Sequence, residues 1–277
     1  MNAFLSHWRG NPQLSLHQLT ALDALPLDLI DIAHTLGCTS VCLFTHVPDA
    51  AQGRYPLVGP DDAPAVKAAL DHTGLTISNL EVFPLDGETG PEAFEPGLAL
   101  GAALGAPRAT VHIHNATPEQ ARARFAAFCD QAARHNIAAG LEFNAFSAVP
   151  DIASAEAIVR AAARPNARLV LDCLHLMRSG GAVADVARTA DLIDFVQLCD
   201  GPASIADDQR FREAVTARGL PGTGTFPLAD IVAALRPGTV IDVEVPQSAA
   251  AKAGVSALDR ARAAVSASRA LLSGEPA

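Results

Sequence analysis

Four polar residues end four otherwise apolar segments in the second half of the chain. They are Glu142 in GLEF, Asp172 in LVLD, Gln197 in FVQL and Glu244 in VEVP. An ionised carboxylate in an apolar setting is costly unless a charged or hydrogen-bonding partner offsets its desolvation. Lysine occurs at only two positions in the chain, and no arginine lies inside these four segments. The four residues therefore need a partner from elsewhere.

A single divalent cation would satisfy all four side chains. Three carboxylates and one amide oxygen form a hard, oxygen-rich ligand set, which suits Mg²⁺ or Mn²⁺ better than Zn²⁺ or Co²⁺. We therefore predict that Glu142, Asp172, Gln197 and Glu244 bind one divalent metal ion. The alternative is that each is an ordinary side chain at the end of a strand, paired with a loop arginine or capping the next helix.

Other polar residues end neighbouring segments and are candidates for binding a substrate. His175 follows Asp172 by three residues, so it would point at the substrate or, alternatively, cap a helix. His114 and Asn144 are candidate hydrogen-bonding partners of a substrate, whereas His112 lies deeper on the face of His114 and is interpreted as structural. Glu81 would bind substrate hydroxyls or pair with an arginine.

Two arginines in the loops are the candidate anion-binding groups, because lysine is nearly absent. Arg178 and Arg210 lie in segments that follow the sixth and seventh apolar runs. Either could bind a substrate carboxylate or phosphate through two parallel hydrogen bonds. The alternative for each is a solvated surface arginine.

Eight short apolar, β-branched segments must position these residues, and segments of helical periodicity separate them. The apolar segments are 14–20, 39–44, 76–83, 109–114, 140–144, 168–172, 194–200 and 239–246. Alternating strands and helices predict a parallel sheet. Eight repeats in a chain of this length predict one (β/α)₈ barrel, whose chemistry lies at the carboxyl ends of its strands. An open, doubly wound sheet is the alternative, but the first strand lacks a following glycine-rich loop.

The chain is predicted to form one domain. Residues 14–277 make up the barrel and residues 1–13 form an N-terminal extension. No segment rich in proline, glycine or serine divides the sequence.

Composition excludes several classes of protein. A net charge of −10 argues against nucleic-acid binding, and no apolar stretch is long enough for a transmembrane helix. The first residues lack the basic and apolar regions of a secretory signal. Five cysteines without a C-x-x-C pair indicate reduced thiols. We expect a cytoplasmic protein with a small-molecule substrate and no nucleic-acid or membrane partner; homo-oligomerisation is left open.

The order and spacing of these residues resemble a known family. Glu142, the D-x-x-H pair Asp172–His175, Gln197 and Glu244 follow one another at intervals typical of the xylose isomerase-like TIM barrels, a superfamily that includes sugar phosphate isomerases and epimerases. LDCLHLMRSGG (171–181) and PGTG (221–224) are further local matches. The resemblance covers about residues 14–270 and implies the (β/α)₈ fold and one divalent metal site.

The resemblance also implies a reaction. Glu142 and Glu244 would act as acid and base while binding the metal, and His175 would contact a substrate oxygen. The leading expectation is isomerisation or epimerisation of a sugar or sugar-like hydroxy-ketone through an enediolate. A metal-dependent lyase that removes water from a cyclic hydroxy-ketone, such as 3-dehydroshikimate or inosose, is the alternative. A barrel that binds a ligand without chemistry is a third class.

Gln197 departs from the family pattern, in which most relatives have histidine. A glutamine can still offer its carbonyl oxygen to a hard cation, and dehydroshikimate dehydratase-like members resemble this chain there. The segment after Gln197 also lacks the histidine typical of endonuclease IV-type relatives. These two departures argue against a trinuclear zinc site and DNA repair.

Overall fold

The structure is a computed structural model that describes residues 13–48 and 51–274. The predicted extension, apart from its last residue, lies outside the described residues. Eight parallel strands form one closed barrel in sequence order, and β1 pairs with β8 to close it. The strands are β1 Leu14–His17, β2 Ser40–Phe44, β3 Thr76–Leu85, β4 Arg108–Ile113, β5 Ala138–Glu142, β6 Ala167–Asp172, β7 Ile193–Leu198 and β8 Val240–Val243. The predicted (β/α)₈ barrel is confirmed.

Helices cover the outside of the barrel and connect its strands. They are α1 Pro26–Thr35, α2 Ala63–Thr73, α3 Glu95–Ala103, α4 Pro118–Ala133, α5 Ile152–Ala162, α6 Cys173–Arg178, α7 Val183–Thr189, α8 Arg210–Thr216, α9 Leu228–Ala234, α10 Ser248–Lys252 and α11 Ala257–Ser273. None of the helices within the described ranges is both long and apolar enough to cross a membrane.

The first strand is shorter than the sequence predicts, because side chains replace its last backbone pairings. The predicted strand runs to Thr20, but β1 ends at His17 and a short 3₁₀ helix follows. Gln18 accepts a hydrogen bond from the backbone N–H of Phe44. The Thr20 hydroxyl donates to the carbonyl of Val243 and accepts a hydrogen bond from the backbone N–H of Val245. These contacts fix the mouth of the barrel at the point where β8 leads into Glu244.

The inside of the barrel contains a buried polar layer. Ser15 in β1 and Ser78 in β3 form a hydrogen bond of 2.6 Å, although the two strands are not neighbours in the sheet. Asn79 bonds to Thr110 in the same interior. Ser78 and Asn79 are consecutive, and both take part because the register between β2 and β3 shifts at this point. The functional side chains extend this polar layer toward the carboxyl ends of the strands.

Helix α4 begins where the sequence predicts, at Thr117. The Thr117 hydroxyl accepts a hydrogen bond from the Gln120 backbone N–H, and the Gln120 side chain accepts one from the backbone N–H of Thr117. This reciprocal pair satisfies two backbone donors that the first turn would otherwise leave without partners.

We expect Thr117→Ala to lower the free energy of unfolding by about 1 kcal/mol, because the helix loses its cap. Urea denaturation followed by circular dichroism measures the change. Thr117→Ser keeps the hydroxyl and is the matched control, so it should stay close to the parent protein. Equal stability of the alanine and serine variants would show that the cap contributes nothing.

Candidate functional site

A pocket of about 260 Å³ opens at the carboxyl ends of the strands. Its wall combines an apolar, partly aromatic rim with a polar floor. The rim includes Phe44, Val47, Tyr55, Phe146, Phe211 and Val215, and the floor includes His17, Glu81, His112, His114, Glu142, Asn144, His175, Gln197, Arg218 and Glu244. Seven of the residues predicted from the sequence therefore line one pocket, at the end of the barrel where (β/α)₈ proteins carry their chemistry.

Glu142, at the end of β5, is held by a histidine from the neighbouring strand. Its Oε2 lies 2.5 Å from His112 Nε2, and its side chain is almost fully buried. Burial opposes ionisation of Glu142, but the adjacent His112 outweighs it and holds the pKa of the carboxyl below its ordinary value. Burial lowers the pKa of His112, and Glu142 more than reverses this, so the pKa of the imidazole is raised. His112, interpreted as structural from the sequence, thus belongs to the pocket.

Asp172 ends β6 and caps the helix that follows it. Its Oδ1 accepts hydrogen bonds from the backbone N–H groups of Leu174, at 2.6 Å, and His175, at 3.2 Å. Its Oδ2 lies 2.7 Å from Nη1 of Arg218. The residue is fully buried and does not line the pocket directly. Part of its role is therefore structural, because it fixes the start of α6 and the position of His175.

Glu244 directly follows β8 and shares the same arginine. Its Oε1 lies 3.0 Å from Nη2 of Arg218, whereas its buried Oε2 has no hydrogen-bond partner. Burial raises the pKa of the Glu244 carboxyl to about 8, although Arg218 pulls in the opposite direction. One guanidinium thus bridges two of the four predicted metal ligands. Arg218 lies outside the four apolar segments, in the loop after α8, so for Asp172 and Glu244 the structure shows the pairing with a loop arginine that the sequence left open as the alternative.

Gln197 faces the same region from β7. Its amide Nε2 lies 3.5 Å from Glu81 Oε1, and its buried amide oxygen has no partner. Glu81 also accepts a hydrogen bond of 2.8 Å from Asn79, so it is anchored by amides and not by an arginine. This orientation directs the amide hydrogens of Gln197 to Glu81 and leaves its carbonyl oxygen available.

His175 connects two of the carboxylates. Its Nε2 lies 3.8 Å from Glu142 Oε1 and 3.7 Å from Asp172 Oδ2. Burial lowers the pKa of this imidazole, although both carboxylates oppose the shift. Ligand atoms of His175, Glu142 and Asp172 all lie within 4.8 Å of one another, which is close enough to share one ion.

The residues fit a divalent cation. His175 approaches both Asp172 and Glu142, and Arg218 contacts both Asp172 and Glu244, so shared partners link the three carboxylates. The unpartnered oxygens of Gln197 and Glu244 are also buried. Buried polar atoms without partners are rare and costly, and a hard cation with oxygen ligands would satisfy both.

A second group, His17, Cys42 and Glu81, is equally compact but is a poorer cation site. Nδ1 of His17 accepts a hydrogen bond of 3.0 Å from the backbone N–H of Leu19. In the neutral ring the proton then sits on Nε2, which faces Glu81 at 3.7 Å and has no free lone pair for a metal. Burial raises the pKa of the Cys42 thiol, which also keeps its proton. We interpret this group as part of the polar interior.

The two predicted loop arginines do not line the pocket. Nε and Nη2 of Arg178 donate hydrogen bonds to the Glu213 carboxylate, at 2.7 and 2.6 Å. The guanidinium of Arg178 also lies over the ring of Phe226. Arg210 pairs with Asp207. Acidic residues of the segment 207–213 therefore pair with both arginines in this structure.

His114 and Asn144 do line the pocket, in line with their predicted positions. The Asn144 side-chain oxygen accepts a hydrogen bond from the backbone of Phe146, and so shapes the loop that carries this aromatic residue to the rim. Burial lowers the pKa of His114, and the neighbouring His112 lowers it further.

Sequence reasoning missed Arg218, His112 and His17 as pocket residues. Arg218 stands three residues before the PGTG motif, and that proximity to a recognised motif was a usable signal. His112 shares a strand face with His114, which could also have identified it. His17 lies inside the first apolar segment, 14–20, and only the structure shows that β1 ends there.

Known proteins share a sequence profile and a fold with this chain. A profile of the family described as "Xylose isomerase-like TIM barrel" matches residues 30–266. No curated protein matches significantly. Against a xylose isomerase-like TIM barrel/4-hydroxyphenylpyruvate dioxygenase fusion protein, 86% of this chain aligns with 39% of the other, at 18% identity and a TM-score of 0.69. The chain therefore spans well under half the length of that protein.

Three other solved structures align over nearly their whole length. The IOLI protein with a bound zinc atom has a TM-score of 0.76 at 17% identity, with 95% of this chain and 98% of that chain covered. D-allulose 3-epimerase from Methylomonas sp. has a TM-score of 0.70 at 17% identity, with 94% and 98% covered. The probable 3-DHS dehydratase AsbF from Bacillus anthracis has a TM-score of 0.72 at 17% identity, with 92% and 97% covered.

At such identities these structures share the fold, whereas the profile match extends over most of the sequence and over every strand from β2 to β8. Together with the closed eight-stranded barrel, this match establishes that the chain belongs to the xylose isomerase-like TIM barrel family.

Proposed function

We propose that the protein is a divalent-metal-dependent isomerase or epimerase of a sugar or sugar-like hydroxy-ketone. The observation that carries the proposal is the close approach of Glu142, Asp172 and His175, beside a pocket whose lining includes Glu244 and the unpartnered amide oxygen of Gln197. When bound, a divalent cation polarises a substrate carbonyl or hydroxyl oxygen and so acidifies the neighbouring carbon. Mn²⁺ and Mg²⁺ suit the oxygen ligands best.

The side chains of the floor supply the proton transfers. Glu142 and Glu244 leave the barrel three strands apart, so they approach a substrate from different sides. One removes a proton from the substrate carbon and the other returns one, which is the requirement of epimerisation. His175 donates to or accepts from a substrate oxygen, and Asp172 fixes its position through the cap of α6. A D-allulose 3-epimerase is among the solved structures of similar fold.

A metal-dependent dehydratase of a cyclic hydroxy-ketone is the second candidate. Gln197 in place of the histidine usual in the family favours it, and a probable 3-DHS dehydratase also has this fold. The aromatic rim formed by Phe146 and Phe211, whose ring centres lie 5.5 Å apart, would suit a ring-shaped substrate. Both candidates begin with removal of a proton next to a carbonyl and differ in whether a hydroxyl group then leaves.

A screen with added Mn²⁺, Mg²⁺, Co²⁺ or Zn²⁺ distinguishes the two. Ketoses, inososes and dehydroshikimate are the substrates to test. Ultraviolet absorbance detects an enone or aromatic product of dehydration, and NMR detects an epimer. Turnover that persists after exhaustive chelation and does not change when metal is added back would reject both candidates.

We expect Gln197→His to keep the site able to bind metal but to shift its preference toward Zn²⁺ or Co²⁺, because imidazole is a softer ligand than an amide oxygen. Elemental analysis of protein purified from mixed-metal medium measures the shift. A metal content identical to that of the parent protein would mean that Gln197 is not a ligand.

A further inference from the structure

Arg218 occupies an unusual position among the cations of this chain. Its side chain is 4% exposed, yet it belongs to the wall of the pocket. Among the described residues that line this pocket, it is the one arginine or lysine. Since a guanidinium keeps its charge at any ordinary pH, a permanent positive charge stands beside Asp172 and Glu244.

The Asp172 oxygen that Arg218 contacts is the one that a cation would need. Asp172 has one oxygen committed to the backbone N–H groups of Leu174 and His175, so Oδ2 is its oxygen available to a ligand. Arg218 Nη1 lies 2.7 Å from that oxygen, and Nη2 lies 3.0 Å from Glu244 Oε1. A divalent cation that bound Asp172 and Glu244 would therefore meet the guanidinium at close range, and the two positive charges would repel each other.

Hydrogen bonds fix the backbone around Arg218. Replacement of its guanidinium by a cation at the two carboxylates would therefore require only the side chain to move. The backbone N–H of Arg218 donates to Pro246, and the residues on either side pair with Gln247 and Asp200. Apart from its two carboxylate partners, the guanidinium donates to the carbonyl of Ala214 at 2.8 Å and approaches the sulfur of Cys199. The adjoining pocket, of about 260 Å³, gives the long side chain space to turn.

We propose that Arg218 is a displaceable counter-ion. Without a divalent cation it neutralises Asp172 and Glu244; a bound cation takes over these carboxylates and releases the guanidinium into the pocket. There, against a rim that includes Phe146 and Phe211, it binds an anionic substituent of the substrate. A single planar guanidinium matches one carboxylate through two parallel bonds, so the substrate class is a hydroxy-ketone that carries a carboxylate. This inference rests on the proposed cation site.

Direct measurement of Mn²⁺ binding tests the exchange without any assay of turnover. We expect Arg218→Gln to bind Mn²⁺ at least about tenfold more tightly than the parent, because charge-assisted hydrogen bonds no longer have to be broken. Isothermal titration calorimetry gives the affinity. Arg212→Gln, which removes an exposed positive charge from α8, the helix just before Arg218, is the matched control and should bind like the parent. Equal or weaker binding by Arg218→Gln would overturn the exchange.

Thermal melting provides a second measurement, and it also shows whether the substitution destabilises the protein. Arg218→Gln leaves two buried carboxylates without their partner, so its melting temperature should fall without Mn²⁺. Saturating Mn²⁺ should raise it by more than it raises that of the parent. Arg218→Lys keeps one charge but cannot bridge both carboxylates. Its Mn²⁺-dependent increase in melting temperature should lie between those of the parent and Arg218→Gln. An equal Mn²⁺-dependent increase in all three proteins would contradict the proposal.

Binding of benzoate, a ring-shaped carboxylate, tests whether the released Arg218 side chain binds a substrate carboxylate. By reciprocity, Mn²⁺ should tighten benzoate binding to the parent by the same factor as benzoate tightens Mn²⁺ binding. We expect at least a fivefold effect, and its loss in Arg218→Gln. An effect of equal size in Arg218→Gln would mean that the carboxylate contacts the cation directly, which rejects the role of Arg218. If neither parent nor variant binds Mn²⁺, the proposed cation site itself is wrong and the exchange falls with it.

Discussion

Glu142→Gln and Glu244→Gln are each expected to lower turnover by at least about 100-fold at saturating metal. Glutamine keeps the shape of the side chain and one carbonyl oxygen, so part of the metal binding survives. An amide neither accepts nor donates a proton usefully near neutral pH, and general acid–base groups contribute about 10²–10⁴-fold. Substrate binding should be largely retained. Steady-state kinetics on the substrate found in the screen measures the loss.

Isotope exchange separates proton transfer from metal binding. In deuterium oxide, the parent enzyme should place deuterium on the substrate carbon, and each inactive variant should not. Glu119→Gln, in the exposed first turn of α4, is the matched control and should turn over like the parent. If both pocket variants remain within a few-fold of the parent at saturating metal, the acid and base lie elsewhere, and His175 and His114 become the first residues to test.

Asp200→Ala is expected to lower the free energy of unfolding by about 3 kcal/mol, the largest stability effect we expect from one substitution. Asp200 is buried just beyond β7, and its carboxylate accepts hydrogen bonds of 2.8 to 3.1 Å from four backbone N–H groups. These donors belong to Gly201, Gly222, Gly224 and Phe226. Hydrogen bonds to a charged group contribute about 1.5–3 kcal/mol each, and water partly replaces those that are exposed.

The same substitution should loosen the loop that carries Arg218. Asp200 also pairs through its backbone with Gly219, next to Arg218. Gly224 packs against the Asp200 carboxylate and the Gly201 carbonyl so closely that a Cβ there would clash with both. Urea denaturation measures stability, and hydrogen exchange over 217–226 measures the loop. Asp208→Ala, at an exposed site in the same connection, is the control. A change below about 1 kcal/mol would show that the loop folds without Asp200.

Much of the fold could be read from the sequence because local patterns encode it. β-Branched apolar runs separated by helical periodicity define all eight strands, and Thr117 with Pro118 defines the start of α4. The identity of the pocket residues also follows from local information, since a parallel barrel brings every carboxyl strand end to one face. For this reason Glu142, Gln197, Glu244 and His175 could be assigned to one pocket before the structure.

The partners of these residues could not be read in the same way. Arg218 lies 46 positions from Asp172 along the chain, outside any strand or regular helix pattern. It reaches that carboxylate because Asp200 and Pro246 hold its loop over the mouth of the barrel. Likewise, Arg178 faces Glu213 and not the pocket because α8 places an acid within its reach.

The sequence by itself therefore determined the approximate positions of the strands and the polar residues at their ends, since both depend on neighbours within a few positions. Only the tertiary structure decided which charged groups pair with each other. It shows that Glu142 pairs with His112 and that the guanidinium of Arg218 lies between Asp172 and Glu244. Those contacts depend on the closure of β1 against β8 and on loop geometry, and the energy of an ion pair is set by distances of a few ångströms that no local pattern records.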